Sequence, residues 1–186
     1  MIFSSIEFLV FFLIFLIFIK ILPNFQRIVI IFSSLFFYSF WNPIFLPLIL
    51  YFLGISYILI KKKINLKISI PIILLPLFYF KYSFFIFEII NLNSLINFAY
   101  TSELPLAISF VTFTIIALLI DVKTKKYDER INFASLSEFL IYFPQLIAGP
   151  ILRAKELIPG LNKKIIFNKT NIKFGACLFT IGFIKK

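Results

Sequence analysis

Few side chains in this sequence could do chemistry, and most of those interrupt apolar runs. Lys81 and Glu88 stand seven positions apart, two turns along one helix face. They could share a polar side, although snorkelling of Lys81 toward headgroups is the plainer reading. Ser109, Thr112 and Thr114 fall inside one uncharged stretch. They could face a channel, or simply bond backbone carbonyls and neighbouring helices. Gln145 follows Pro144 and precedes Gly149 and Pro150; its amide must find partners if buried. Arg153 and Lys155 offer charge for an anion. Histidine is absent from all 186 residues, so no Ser-His or Cys-His pair, H-E-x-x-H zinc helix or imidazole proton relay can be built here. The single cysteine, Cys177, excludes an intrachain disulfide and a cysteine-based metal site; set in an apolar run, it reads as a small buried hydrophobe. None of the five glycines belongs to a phosphate-cradling G-x-G-x-x-G or Walker pattern.

The elements that must position these groups are membrane helices. Hydrophobic residues make up 61% of the chain and charged residues 15%, and mean hydropathy is +1.04. A soluble domain carries roughly 45–50% apolar and about 25% charged residues, so this chain could not cover a water-facing surface. The expected class is an all-α, polytopic transmembrane protein with re-entrant or half helices, in a lipid bilayer. Apolar segments are expected at 6–22, 28–40, 44–60, 68–90, 104–120, 139–152 and 174–186. The first lacks a basic n-region and a cleavage site, so it reads as an uncleaved span. Between Arg27 and Lys61 no charge occurs; Trp41-Asn42-Pro43 divides that stretch into two. Pro71 and Pro76 are tolerated within 68–90. The run 139–152 is too short to cross a core of about 30 Å and reads as re-entrant. The last apolar run begins near Phe174 and stops at Lys185 and Lys186.

Charge fixes an expected topology. Of 19 Lys and Arg residues, the connectors at 20–27, 61–67, 123–130 and 153–173 hold 2, 4, 4 and 6, while 91–103 holds none. By the positive-inside rule the basic connectors face the cytoplasm, 91–103 faces the opposite side, and the amino terminus lies outside. A multi-pass membrane protein is expected. The basic excess is thereby explained without nucleic acid. Lys61-Lys62-Lys63 reads as an anchor to anionic headgroups. Asn168-Lys169-Thr170 matches a glycosylation sequon, but on the cytoplasmic side modification is not expected.

The motif Leu104-Pro-Leu-Ala-Ile-Ser-Phe-Val-Thr-Phe113, then Leu119-Ile-Asp121, then Phe143-Pro-Gln-Leu-Ile-Ala-Gly-Pro150 with Arg153 and Glu156-Leu-Ile-Pro159, goes further. It resembles the membrane-bound O-acyltransferase family, in particular its bacterial alginate O-acetyltransferase branch. Phe3-Ser4-Ser5, Pro23, and Ser34-Leu-Phe-Phe-Tyr38 before Trp41 extend the resemblance over essentially the whole chain. Ala107 stands where that family usually has glycine, and Thr114 where glutamine is common.

The resemblance implies acyl transfer, most simply acetyl transfer to hydroxyls of an exported, alginate-like polysaccharide. The donor would be acetyl-CoA or an acyl carrier acting as substrate, with no bound cofactor. A periplasmic acyltransferase partner is compatible with it. The family's signature histidine would lie beyond Lys186, so the chain reads as an amino-terminal fragment, inactive alone. Pro144, Gln145, Gly149 and Pro150 would shape a cavity in the membrane. Arg153 with Lys155 would attract an anionic donor at its cytoplasmic mouth, with Ser109 and Thr112 as channel-facing candidates. The plainer alternative makes the prolines helix breakers and Arg153 a positive-inside residue. D-alanyl or other acyl transfer to a cell-wall polymer, and a non-catalytic transporter subunit, also remain open.

Overall fold

The chain folds into helices separated by residues that stop them. A computed structural model describes residues 5–89, 104–125, 131–148 and 152–185. Its helices are α1 (Ile6–Ile21), α2 (Gln26–Trp41), α3 (Leu46–Lys61), α4 (Leu66–Ile89), α5 (Ile108–Lys123), α6 (Phe133–Ile141), α7 (Phe143–Ala148), α8 (Ala154–Leu161) and α9 (Lys169–Ile184), with 3₁₀ turns at Pro23–Phe25 and Pro43–Phe45. Four starts are set by small polar side chains that accept otherwise orphaned amide protons. The Ser5 hydroxyl accepts from Phe8 N, Asn132 from Ser135 N and Asn168 from Asn171 N. Asn42 accepts from Ile44 N at the second 3₁₀ turn. Asn42 itself is extended (φ −159°, ψ 112°), as a residue before proline prefers. Pro71 and Pro76 both lie inside α4.

Basic residues end two of the helices. Lys63 takes a left-handed conformation (φ 51°), its N–H bonds to Ile60 O and that of Ile64 to Leu59 O. This is a Schellman cap with lysine in the place glycine usually holds. Lys125 (φ 56°) repeats the position after α5, donating to Val122 O. A cation there also complements the negative end of the helix.

Two apolar clusters hold the helices together. The larger joins α3, α4, α5, α6 and α8 through Phe52, Ile73, Ile115, Leu118, Leu136 and Leu140, among others. The smaller joins α1, α2 and α7, with Phe143 at its centre. The Phe143 ring lies 5.1 Å from Phe15, 5.2 Å from Phe11 and 5.5 Å from Phe37, the first two edge-on.

The outward faces are as apolar as the interior. Phe32 and Phe174 are 67% exposed, and Ile44 and Ile184 are 77% exposed. Water would penalise such a surface, and hydrocarbon would not. The chain is an all-α membrane protein. Among the described residues, Pro43–Lys61 and Leu66–Ser83 are long and apolar enough to cross a membrane. The α1–α2 pair, bent by 106° at the Pro23 turn, makes a third if taken as one span. That is fewer than the segments expected from hydropathy. Each of the other long helices has 16 residues, about 24 Å, against a core of about 30 Å.

Candidate functional site

The conspicuous motif of the sequence, Phe143 to Pro150, begins at a break. The run 139–152, expected as one half-helix, is divided at Tyr142 (φ −53°, ψ 106°) into the end of α6 and the short α7. Pro144 occupies the second position of α7, where a missing N–H costs nothing. The freed amide of Phe143 donates instead to the hydroxyl of Ser34 on α2, at 3.2 Å. Ser34 is fully buried, so this bond replaces an intrahelical one that the break removed. Backbone and ring of Phe143 therefore both fix α7 to the α1–α2 hairpin.

Gln145 follows on that fixed helix. It is 5% exposed, and neither its amide oxygen nor its nitrogen has a hydrogen-bond partner among the described residues. Tyr38 and Thr114 are buried with unpartnered hydroxyls in the same way. Each such group costs about 1–3 kcal/mol relative to a satisfied one. Gly149 and Pro150 lie outside the described residues.

Arg153 occupies the N-cap position of α8, where its N–H donates to Glu156 Oε2 at 3.3 Å. Its Nη1 donates to Asp121 Oδ1, also at 3.3 Å. The Asp121 side chain is 7% exposed and that of Arg153 is 49% exposed. The Leu119–Asp121 and Phe143–Arg153 motifs thus meet through this ion pair. Arg153 is held from one side, with donors left over on its exposed side. Lys155 is exposed on α8.

A second buried acid was not singled out from the sequence. Glu138 on α6, just outside the uncharged run, is 1% exposed, and its Oε2 lies 3.2 Å from Arg27 Nε. The pair is close but not aligned as a hydrogen bond. Burial pushes the Glu138 carboxyl up, and Arg27 pulls it partly back. This pair carried no sequence signal beyond its residue types, and Ser34, though part of the Ser34–Tyr38 motif, gave no sign of its bond to Phe143, because in each case the partners lie more than 100 residues apart.

The remaining expected residues separate. Thr112 donates to Ile108 O at 2.8 Å, which satisfies it within α5. Ser109 is half-buried one turn earlier on the same helix. Lys81 is exposed with its ammonium 5.7 Å from the Tyr82 ring, and the Glu88 side chain lies outside the described residues. Cys177 corrects the expectation of burial: it is exposed on α9, a helix with no buried residue among those described. Asn168, the sequon asparagine, caps that helix.

Fold and site together define a helical membrane protein with buried polar groups that lack partners among the described residues, one of them, Gln145, on a short helix set off by a break. Its relatives narrow the class. It is 33% identical over 201 aligned residues to the peptidoglycan O-acetyltransferase of Helicobacter pylori, covering 88% of this chain and 38% of that one. It is 32% identical over 186 to the "probable alginate O-acetylase AlgI" of Pseudomonas aeruginosa, covering 88% and 34%. The Pseudomonas syringae protein of the same name is also 32% identical, with the same coverage. No family model matches the chain, and no solved structure matches it. This likeness to proteins named as O-acetyltransferases is consistent with the alginate O-acetylase-like branch of the membrane-bound O-acyltransferase family that the motifs resemble. It spans about a third of the length of the curated relatives it matches.

Proposed function

We propose that this chain forms part of a membrane-bound O-acetyltransferase that transfers an acetyl group to hydroxyls of an exported polysaccharide. The observation that carries the reading is the likeness, over 88% of the chain, to proteins named for peptidoglycan and for alginate. Those two names share acetyl transfer to a glycan hydroxyl and differ in the glycan.

Acyl transfer needs a base for the hydroxyl proton and donors that stabilise the carbonyl oxygen as charge develops there. In this reading the chain's own residues supply position and polarity, and the base lies outside these 186 residues. Gln145 offers two N–H donors and one carbonyl acceptor in a dry setting, held by a helix fixed at Phe143. Its unmet bonds are the ones a carbonyl or hydroxyl would fill. The exposed donors of Arg153, steadied by Asp121, suit an anionic acetyl donor such as acetyl-CoA or a phosphopantetheine-type carrier. The bilayer proposed is the bacterial inner membrane, with the amino terminus outside.

The test is restored acetylation. The chain is expressed with its continuing reading frame in a polysaccharide-producing bacterium lacking its own O-acetylase, and polymer-bound acetyl ester is measured. Gln145→Ala is expected to lower ester content about tenfold or more at unchanged membrane abundance, in line with loss of one transition-state donor. Arg153→Ala is expected to raise the donor concentration needed for half-maximal transfer. Unchanged acetylation and donor dependence in both variants would refute the roles assigned. No acetyl ester from the wild type would refute the function.

A further inference from the structure

Two concavities on the α1–α2 hairpin meet at one residue. The first is an apolar trough of about 820 Å³ between the two helices, running from Ile6 and Phe36 at the open end to Phe18 and Ile28 near the turn. The second is a pocket of about 390 Å³ at the turn itself, walled by Asn24, Arg27, Asn162, Lys163 and Lys164, among others. Ile28 lines both. Among the described residues, no acidic side chain lines the second.

The pocket is built rather than left by a loose loop. Gln26, 9% exposed, reaches across to the 161–165 connector. Its Nε2 donates to Lys163 O at 3.0 Å and to Leu161 O at 3.4 Å, and its Oε1 accepts from Ile165 N at 2.9 Å. One amide thus fixes the backbone that carries both lysines. Arg27 is oriented as well: Nε faces Glu138 and Nη2 donates to Asn162 Oδ1. A guanidinium has five N–H donors, so three remain for another partner. Arg27 and the two lysines outnumber the one acid beside them, Glu138.

We propose that this surface seats one anionic, phosphate-headed lipid. The head group sits against Lys163, Lys164 and the free edge of Arg27, and an acyl chain lies in the trough past Ile28. Charge complementarity selects the head, because charge-assisted bonds to phosphate oxygens satisfy Lys163 and Lys164, which have no acidic partner among the described residues, and the donors of Arg27 that Glu138 and Asn162 leave over. Continuity selects an amphiphile over a free anion. The trough begins where the cations end, and its rim residues Ile14, Phe18 and Phe32 are 48%, 49% and 67% exposed. Both connectors that form the pocket belong to the basic set expected on the cytoplasmic face, where anionic lipid is concentrated.

The purified chain, in detergent with equal phosphatidylglycerol and phosphatidylcholine, tests this by native mass spectrometry of retained lipid. The wild type is expected to keep one phosphatidylglycerol in preference to phosphatidylcholine. Lys163→Gln with Lys164→Gln is expected to lower its retention roughly thirtyfold, about fivefold for each basic residue near an anionic surface. Lys169→Gln with Lys173→Gln, both exposed on α9 and away from the pocket lining, removes the same charge elsewhere and is expected to leave retention within about twofold. Phe32→Gln, an exposed change in the trough, is expected to weaken lipid retention while helix content by circular dichroism stays unchanged. Equal losses from the two lysine pairs would reduce the effect to general surface charge and overturn the proposal. Displacement of the lipid by inorganic phosphate at equal concentration, or indifference to Phe32→Gln, would show a phosphate site without a tail seat and overturn it too.

Discussion

Phe143→Ala tests whether the strongest motif works through packing. Phe143 is 1% exposed, with the rings of Phe11, Phe15 and Phe37 all within 5.5 Å and that of Phe8 at 6.5 Å. In water-soluble proteins a buried Phe→Ala change costs about 3–5 kcal/mol, part transfer and part cavity. In a bilayer the unfolded reference is solvated by lipid tails, so much of the transfer part is lost and packing dominates. The cavity part persists, because a site closed to this degree is not refilled by lipid. Aromatic pairs add about 0.5–1.5 kcal/mol each beyond area. A loss of about 3 kcal/mol is expected for Phe143→Ala and about 1–1.5 kcal/mol for Phe143→Leu. The assay is reversible unfolding from mild detergent into dodecyl sulfate, followed by circular dichroism, with the exposed Phe32→Ala as reference. A cost for Phe143→Ala no larger than that of Phe32→Ala would refute the packing role. A double-mutant cycle with Phe11→Leu should return a coupling of about 0.5–1.5 kcal/mol.

Two further outcomes follow from backbone and topology. Ala107 precedes α5 in a left-handed conformation (φ 57°, ψ 18°), which costs an L-residue roughly 1–2 kcal/mol; Ala107→Gly should therefore be neutral or stabilising by up to about 1 kcal/mol, and Ala107→Val destabilising, in the same unfolding assay. A glycine cost like that of an ordinary helix interior would contradict this. In a Cys177→Ala background, needed because the native thiol is exposed, Ser94→Cys and Thr124→Cys should label from opposite membrane faces; labelling from one face would overturn the topology.

What could be read from the sequence was what periodic pattern and charge carry. The break at Asn42-Pro43 and the class of fold were legible because apolar runs and prolines act locally. The family was legible from the Phe143–Pro150 run. Ala107 was legible as a departure from the family pattern, but its meaning required φ: the family's glycine fits a left-handed turn, and alanine occupies it under strain. The burial of Asp121 and Glu138 was not legible, since both acids sit near segment ends where exposure is the default. Arg153 looked like a free cation because its partner lies 32 residues away on another helix. Cys177 looked buried because apolar neighbours signal a core only where the surroundings are water.

Helix α2 carries Gln26, Arg27 and Ser34, whose partners arise between 109 and 139 residues later in the chain. At a synthesis rate of about 5–20 residues per second, α2 emerges roughly 5–30 s before any of them exists. A helix with three polar side chains turned toward absent partners enters the bilayer at a disadvantage. Its assembly is therefore ordered: α2 reaches its final seat only after α6, α7 and the 161–165 connector have followed it. Substitutions at Gln26 or Ser34 should accordingly change the yield of inserted protein as well as its stability.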